Sequence, residues 1–292
     1  MSNARHLTIG LVQMACDEKP DLNLEAAITG VREAAARGAQ VICLPELFRT
    51  PYFCQEEDAA HFMLAETIPG PSTEVLSRLA AELETVLIVP LFEKRSAGLY
   101  HNSAVVLDAD GSLVGRYRKM HIPDDPGFYE KFYFTPGDAG FKTFQTRYCR
   151  VGVLICWDQW FPEAARLTAL SGAEILFYPT AIGFQDADRD AASGQAAAWE
   201  TVQRGHAIAN GVYLAAVNRT GREKDISFWG KSFLCDPFGE ILARSPEDKP
   251  DILVEKCDLT RIEETRQAWP FLRDRRVDAY QNLSRLYLDD PS

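Results

Sequence analysis

One stretch of the chain decides the fold, at residues 151–178, and it reads VGVLICWDQWFPEAARLTALSGAEILFY. The apolar run at 151–155 predicts a buried strand, and the segment 162–171, which a proline opens, has helical spacing. Residues 175–178 are apolar again and predict a second strand. Strands that alternate with helices in this way indicate sheets covered by helices.

The same alternation continues on both sides of this stretch. Toward the N-terminus the spacing predicts strands at 7–14, 41–44 and 86–92 and helices at 24–35 and 71–83. Toward the C-terminus it predicts a helix at about 191–210 and strands at 212–218, 231–234, 241–243 and 252–257. The chain therefore opens with a β-α-β-α-β unit.

A predicted hairpin and a long loop lie in the middle of the chain. Two strand-like runs, 103–108 and 113–117, flank the pair Asp110 and Gly111, which is a strong signal for an antiparallel hairpin. Residues 120–140 are rich in Pro, Gly, Asp and aromatic residues and show no period. A segment of that length without regular structure predicts a functional loop.

Length and composition describe an ordinary globular protein. The chain has 292 residues, of which 46% are hydrophobic and 25% are charged, and neither a repeat nor a linker divides it. We therefore expect one domain over residues 1–292, with a charged, aromatic tail from about residue 259. The 31 basic and 42 acidic residues leave a net charge of −11, which argues against nucleic acid and anionic membrane surfaces as partners.

Cysteine usage and the lengths of the apolar runs bear on the compartment. Seven cysteines are an odd number without CxxC pairs, and the N-terminal residues do not resemble a secretory signal. The longest apolar runs are far short of the ~20 residues that span a bilayer. These observations predict reduced thiols, a cytoplasmic protein and no membrane partner.

Cys156 is the first candidate functional residue. It follows the apolar run 151–155 and precedes the helix predicted at 162–171. A strand-to-helix junction offers backbone N–H groups and the positive end of a helix, which lower the pKa of a thiol and hold an oxyanion. The position therefore predicts a nucleophile. The alternative is a buried core cysteine, which is the commoner role for this residue type.

Two charged residues stand in similar places. Glu46 follows the apolar run 41–44, so its carboxylate is expected at the end of a strand, where open α/β sheets place their ligands. Lys119 ends the second strand of the predicted hairpin. The alternatives are a solvated loop glutamate and an exposed charge on an edge strand.

These three motifs resemble the three signatures of the nitrilase superfamily of carbon–nitrogen hydrolases. They are Leu44-Pro45-Glu46, Arg118-Lys119-Met120-His121 and Ile155-Cys156-Trp157-Asp158, in this order. Further matches, which extend the resemblance over roughly residues 7–260, are Tyr178-Pro179-Thr180-Ala181, Arg204-Gly205-His206-Ala207, Asn210 and Val217-Asn218-Arg219. The resemblance implies an α/β fold, an αββα sandwich of two mixed sheets flanked by helices in four layers, and a homo-oligomer built from dimers.

The resemblance also implies a role for each residue. Cys156 would be the nucleophile, Glu46 the general base and Lys119 the partner of the oxyanion. Glu130 would be a second glutamate near the lysine. Such a site splits the hydrolysis of a poor electrophile into two easier steps through a thioester. It implies no cofactor, and the sequence has no cluster with the spacing of metal ligands.

Within the family, residues 121–134 and 156–163 resemble the branch that hydrolyses carbamoylated amines, so the expected substrate is a small carbamoyl amine. No arginine stands two to four positions after Cys156 to pair with a substrate carboxylate. The acidic residues of the predicted loop at 120–140 would instead attract an ammonium group, and aromatic side chains would add cation–π contacts with it. The residues expected to bind substrate are Asp125, Tyr129, Trp157 and Trp160, with Asp124 and Phe128 beside them. The alternative is that these acids are solvated and the aromatic residues are core.

Three other functional hypotheses stay open. His101, His121 and His206 allow a Cys–His arrangement, although a supporting or core role is commoner for such histidines. A sibling of the family, such as a β-ureidopropionase, an N-carbamoyl amino acid hydrolase or an ω-amidase, would use the same site on a different substrate. An inactive scaffold on the same fold is the non-enzyme hypothesis.

The C-terminal tail carries residue types that are enriched at protein interfaces. It includes Trp269-Pro270-Phe271-Leu272-Arg273-Asp274-Arg275-Arg276, followed by Tyr280 and Leu283. This composition supports a homo-oligomer. The alternative is a tail that folds over its own domain.

Overall fold

The computed structural model describes residues 5–185 and 192–288. Its helices are α1 (Pro20–Ala36), α2 (Pro71–Leu83), α3 (Glu130–Tyr133), α4 (Pro162–Leu170), α5 (Ala192–Asn210) and α6 (Thr260–Ala268). Its strands are β1 (His6–Gln13), β2 (Val41–Cys43), β3 (Val86–Ser96), β4 (Leu99–Leu107), β5 (Leu113–Arg118), β6 (Thr143–Gln145), β7 (Arg150–Val153), β8 (Ile175–Thr180), β9 (Gly183–Gln185), β10 (Tyr213–Asn218), β11 (Thr220–Glu223), β12 (Ile226–Trp229), β13 (Phe233–Cys235), β14 (Ile241–Arg244) and β15 (Asp251–Asp258). Residue 191, where the sequence predicts a helix to begin, lies outside the described residues.

Two six-stranded mixed sheets form the centre of the fold. The first has the strand order β15-β1-β2-β3-β4-β5, and the second has the order β14-β13-β10-β8-β7-β6. In each sheet three neighbouring strands are parallel, β1-β2-β3 and β10-β8-β7. The remaining strands pair antiparallel. Strands β11, β12 and β9 make a third, small antiparallel sheet.

The layers follow from the alternation of side chains along each strand. Val41 and Phe177, one from each large sheet, share a single buried cluster, so the inner faces of the two sheets pack together. The next residue of the first sheet, Ile42, belongs instead to a cluster with Val31 of α1 and Leu76 of α2. Helices α4 and α5 pack against the second sheet. The order of layers is helix, sheet, sheet, helix, which confirms the expected αββα sandwich.

The predicted opening unit and the hairpin are confirmed. Strands β4 and β5 pair antiparallel, and Gly111 in their turn has a φ of +82°, a backbone conformation that glycine adopts without steric cost. Strand β3 continues past the predicted end at residue 92 and pairs with β4 as far as Ser96. The sequence does not predict this extension, because residues 93–96 are polar and lack the apolar pattern of a strand.

Six elements have no clear pattern in the sequence, and one of them, the four-residue helix α3, lies in the segment 120–140 that is expected to have no regular structure. Helix α6 reads TRIEETRQA and buries only Ile262, so it lacks the apolar stripe that predicts a helix. Strands β6, β9, β11 and β12 have three or four residues each. Such short strands form because tertiary packing brings them together, rather than because of local periodicity.

Beyond α6 the described tail runs through two short 3-10 turns, Val277–Ala279 and Gln281–Ser284. Trp269 contacts the ring of Phe238, at 5.7 Å between centroids, yet 53% of its surface is exposed. The interface role of the tail stays a prediction. In the described part of the chain, no helix has both the length and the apolar character that crossing a membrane requires.

Candidate active site

Cys156 lies on a 3-10 turn, Cys156–Trp160, that follows strand β7. Its φ of +43° is left-handed, which is strained for a residue with a Cβ. Asp158 holds the turn in place, because its carboxylate accepts the Ile155 N–H at 2.9 Å and the Tyr117 hydroxyl at 2.7 Å. Tyr117 belongs to the first sheet, so contacts across the sandwich fix the position of the thiol.

The expectation that a helix end lowers the thiol pKa is wrong. Helix α4 begins only at Pro162, after the whole 3-10 turn, and the influence of a helix end falls off within one turn. Burial raises the pKa of the Cys156 thiol well above its ordinary value; the Glu46 carboxylate raises it further, while Lys119 opposes both effects. The thiol is therefore neutral at rest, and it can become a nucleophile only by giving its proton to a base.

Glu46 lies just beyond strand β2 and is fully buried. One carboxylate oxygen, Oε1, accepts hydrogen bonds from Lys119 Nζ at 2.9 Å and from Asn102 Nδ2 at 2.7 Å. The other, Oε2, accepts the Ala181 N–H at 2.7 Å. Ala181 follows β8 of the second sheet, so this carboxylate joins the two sheets. The alternative of a solvated loop glutamate is wrong.

Lys119 comes directly after β5 and is also fully buried. Its Nζ donates to Glu46 at 2.9 Å and to both carboxylate oxygens of Glu130, at 2.9 and 2.7 Å. Burial acts to lower the pKa of Lys119, but the carboxylates of Glu130 and Glu46 raise it well above its ordinary value. The side chain is thus a permanent buried cation, not an exposed charge on an edge strand.

Glu130 is the first residue of α3 and is buried beside this lysine. The Tyr52 hydroxyl donates to Glu130 Oε1 at 2.8 Å. Burial raises the pKa of Glu130 to about 7, although Lys119 acts in the opposite direction. The structure therefore places Glu130 against the lysine, as expected, and gives it a proton affinity near neutrality.

A cavity of about 460 Å³ opens beside the thiol. Its lining residues are Pro123, Asp125, Pro126, Phe128, Glu130, Cys156, Trp157, Trp160, Ala181, Ile182, Gly183, Phe184, Gln185, Gln195, Ala198 and Trp229. Asp125 and Glu130 are the carboxylates among them, and in the part of the chain that the structure describes no lysine, arginine or histidine lines the cavity. The cavity walls are otherwise mostly aromatic and apolar, with two glutamine side chains.

Three of the four residues expected to bind substrate line this cavity: Asp125, Trp157 and Trp160. The fourth, Tyr129, is absent from the lining set, and its backbone N–H donates to the carbonyl of Cys54 at 2.8 Å. Sequence reasoning passed over Phe184 and Trp229, which lie in or near the third sheet. They were not predicted because no motif near them in the sequence indicates that those strands lie close to the Cys156 thiol.

The histidines contact other parts of the molecule. His206 Nε2 lies 2.8 Å from the Gln159 carbonyl, and His101 Nδ1 lies 2.8 Å from the Thr135 carbonyl. His121 Nδ1 lies 2.7 Å from Asp158. The charged groups that act on the Cys156 thiol are two glutamates and a lysine, which favours a glutamate base over a Cys–His pair. In residues 5–185 and 192–288, no group of histidine, cysteine and acidic residues is placed to hold a metal ion.

Several buried polar residues that hold the site were not singled out from the sequence. Asn102 and Tyr52 donate to the two glutamates, and Arg219 Nη2 donates to the backbone carbonyl of Glu46 at 2.9 Å. Asn102 lies between the polar residues His101 and Ser103 of β4, so nothing local distinguished it. Arg219 belongs to a motif of the family resemblance, but its partners come from distant parts of the chain.

Comparison with known proteins agrees with this geometry. The sequence matches the family described as carbon-nitrogen hydrolase over residues 8–267. The N-carbamoylputrescine amidase of Arabidopsis thaliana is 46% identical over 288 residues, covering 96% of this chain and 95% of that protein. The citrullinase of Francisella tularensis is 40% identical and covers 97% of this chain and 99% of that protein.

A solved structure of a carbon-nitrogen hydrolase has the same fold as this chain. The carbon-nitrogen hydrolase from Helicobacter pylori G27 superimposes with a TM-score of 0.94 at 48% identity, over 97% of this chain and 100% of that one. Family match, sequence relatives and fold agree over nearly the whole chain. This chain therefore belongs to the carbon–nitrogen hydrolases of the nitrilase superfamily.

Proposed function

We propose that this chain is a cysteine-dependent amidohydrolase that cleaves N-carbamoylputrescine to putrescine, carbon dioxide and ammonia, a reaction of polyamine biosynthesis. The observation that carries the proposal is the buried cluster of Glu46, Lys119 and Glu130 beside the Cys156 thiol, at a cavity whose described lining residues include the Asp125 carboxylate and no cation. A relative with this activity in its name, at 46% identity, supports the choice of substrate.

The first half-reaction forms a covalent intermediate. Glu46 takes the proton of the Cys156 thiol, and the thiolate adds to the carbamoyl carbon. The carbonyl oxygen becomes an anion, which Lys119 and the backbone N–H of Trp157 stabilise. When the tetrahedral intermediate collapses, the C–N bond breaks and Glu46 passes its proton to the leaving nitrogen.

The second half-reaction uses the same groups with water. Glu46, now ionised again, removes a proton from a water molecule that adds to the thioester carbon. Collapse breaks the C–S bond and releases carbamic acid, which breaks down to carbon dioxide and ammonia, and the Cys156 thiol recovers its proton from Glu46. Glu130 supports both steps, because both of its carboxylate oxygens accept hydrogen bonds from Lys119 Nζ and so hold that side chain in place.

Substrate charge follows from the cavity. A terminal ammonium group would meet Asp125 and aromatic rings such as Phe128 and Trp157, and a cation–π contact is worth ~0.5–2 kcal/mol. A substrate carboxylate would find no cation among the lining residues of the described ranges 5–185 and 192–288. Two to four positions after Cys156 the chain has Asp158, Gln159 and Trp160 instead of an arginine, and the first two are fully buried and hold the site together. We therefore place Asp125, Trp157 and Trp160 at the distal end of the substrate.

The test compares three ureido compounds by ammonia release from the purified protein at neutral pH. N-carbamoylputrescine should be cleaved with a kcat/KM at least ~100-fold above that of N-carbamoyl-β-alanine, because a buried, unpaired carboxylate is costly. N-butylurea, a neutral compound of similar length, should fall between them. Equal kcat/KM for the diamine and the acid would contradict the polyamine assignment and favour a sibling amidase.

We also propose that the chain forms a homo-oligomer built from dimers and works in the cytoplasm with its cysteines reduced. Exposed apolar side chains of the tail, such as Trp269, Phe271 and Leu283, support the oligomer. All seven cysteines are free thiols, which agrees with a reducing compartment. Light scattering that reports a particle with the mass of one chain at micromolar concentration would contradict the oligomer.

A further inference from the structure

A buried ion pair next to the site has no part in the mechanism described above. Arg219 is fully buried, and its Nη1 bonds both carboxylate oxygens of Glu223 at 2.9 and 3.0 Å. Burying two charges costs so much solvation that such a pair is weak grounds for added stability. Its other contacts point to a different use.

Arg219 binds the loop that carries the proposed base. Its Nη2 donates to the backbone carbonyls of Glu46 and Leu47, both at 2.9 Å, and to that of Thr50 at 3.2 Å. Leu47 has a φ of +50°, a left-handed conformation that is strained for leucine. One guanidinium therefore hydrogen-bonds three carbonyls of a strained loop. The backbone of this loop fixes the position of the Glu46 Cα atom, and hence that of its side chain.

Glu223 extends the same contact to the second glutamate. Its carboxylate accepts the backbone N–H of Tyr52, and the Tyr52 hydroxyl donates to Glu130 Oε1 at 2.8 Å. Tyr52 is 1% exposed and packs edge-on against Phe228, whose ring also lies under the Arg219 guanidinium. The chain of contacts from Arg219 to Glu130 is thus continuous and shielded from water.

We propose that Arg219 and Glu223 form a positioning pair, which fixes Glu46 through the loop 46–50 and Glu130 through Tyr52. The inference rests on the catalytic roles proposed above for the two glutamates. Neither member of the pair belongs to the residues that line the cavity, so the pair should act on the rate of the chemical step and not on substrate binding.

The first test removes both charges together. The double variant Arg219→Met/Glu223→Leu leaves no unpaired buried charge, although the carbonyls of Glu46, Leu47 and Thr50 lose a donor, so its free energy of unfolding should fall less than that of either single variant. Its kcat should fall by about 100-fold, as for a misplacement of roughly 1 Å at a catalytic group, with KM within about threefold. The matched control is Arg32→Met/Glu82→Leu, an exposed Arg–Glu pair, which should leave both constants unchanged.

If the double variant does not fold, two single variants test whether Arg219 and Glu223 position the glutamates. Arg219→Lys keeps the charge but not the forked donors, so its kcat should fall with KM retained. Tyr52→Phe removes only the hydroxyl donor to Glu130, which raises the pKa of that carboxyl because the donor favours its ionised form. The acid limb of the kcat/KM profile should therefore move to higher pH. A purely structural role would leave this profile in place.

A readout without substrate separates this inference from the proposed function. The rate at which iodoacetamide alkylates Cys156, followed by mass spectrometry of its peptide, depends on the charge of the nearby Glu130. Its inflection near neutral pH should move upward in Tyr52→Phe, even if no ureido compound is turned over. An unmoved inflection, or a folded double variant with kcat within twofold of the wild type, would overturn the positioning pair.

Discussion

Arg118 and Lys119 are neighbours at the end of strand β5, yet they belong to two charge clusters, one partly exposed and one fully buried, with opposite balances of charge. Lys119 bonds Glu46 and Glu130, which we call the site cluster. Arg118 and Arg116 bond Glu93, and these three residues form the edge cluster. Adjacent residues of a strand point to opposite faces of the sheet, which is how neighbouring cations reach different carboxylates.

The edge cluster has more cations than carboxylates. Arg118 bonds Glu93 through two nitrogens, at 2.8 and 2.7 Å, and Arg116 adds a third bond at 2.9 Å. The Ser103 hydroxyl donates at 2.6 Å. Although burial acts to raise the pKa of Glu93, the bonds from Arg118 and Ser103 lower it below its ordinary value. This carboxylate stays ionised and has no proton to move.

The site cluster has fewer cations than carboxylates. Glu46 and Glu130 share the single cation of Lys119, and burial raises the pKa of Glu130 to about 7. Two carboxylates in one dry site cannot both be ionised without cost. The comparison indicates that two differences prepare a carboxylate to hold a proton near neutrality: deeper burial, which is the largest cause of the raised pKa of Glu130, and a shortage of positive charge around it.

The largest effect is expected where the site cluster meets the thiol. Cys156→Ala should abolish turnover with the fold intact, because the other six thiols do not line the cavity. Cys156→Ser should be nearly as inactive. The control is Cys235→Ala, a buried thiol on β13, which should keep kcat. If Cys156→Ala retains more than about a few per cent of the activity, by a steady-state assay, the nucleophile has been assigned to the wrong residue.

The next effect separates the two clusters directly. Glu46→Gln and Lys119→Ala should each lower kcat by about 100-fold or more, with KM less affected, because these groups act mainly in the transition state. Glu93→Gln should leave kcat within a few-fold and lower the free energy of unfolding instead, by roughly 1–3 kcal/mol. A loss of kcat in Glu93→Gln as large as in Glu46→Gln would remove the functional difference between the clusters.

The pH dependence of stability should have opposite signs in the two clusters. The raised pKa of Glu130 means that its contribution is full below the ordinary glutamate value and is lost as pH rises through about 7. The lowered pKa of Glu93 means that its contribution is present above the ordinary value and is lost as pH falls through the lowered one.

Melting curves of Glu130→Gln and Glu93→Gln across the acid range measure this difference. Relative to the wild type, Glu130→Gln should gain stability as pH rises from about 5 to 7, by on the order of 1–3 kcal/mol. Glu93→Gln should come closer to the wild type as pH falls. Parallel curves for the two variants would show that their environments are alike.

The smallest effect on activity is expected outside both clusters. His206→Ala removes a buried ring beside Gln159, which should lower the free energy of unfolding by about 1–3 kcal/mol while kcat changes little. Calorimetry and steady-state kinetics on the same sample measure both. If His206→Ala melted normally and were as inactive as Glu46→Gln, the Cys–His hypothesis would replace the glutamate base.

Much of the fold could be predicted because its signals are local. The alternation of strands and helices, the Asp110-Gly111 turn and the proline that opens α4 all follow from spacing and residue type within a few positions. Elements without a local signal were missed, such as α6 with a single buried residue. The same holds for the third sheet, whose strands become ordered only by pairing with one another.

The same distinction between local signals and tertiary packing applies to the candidate active site. The sequence by itself predicts which residues carry the chemistry, Glu46, Lys119 and Cys156, because each follows a strand and because the three motifs together resemble those of a known family. Only the tertiary structure decided their partners and protonation: Ala181, which bonds Glu46, lies 135 residues away. The direction of the thiol pKa was mispredicted for this reason. Desolvation and charge balance depend on which distant groups the two sheets bring together, and spacing along the chain carries no record of that packing.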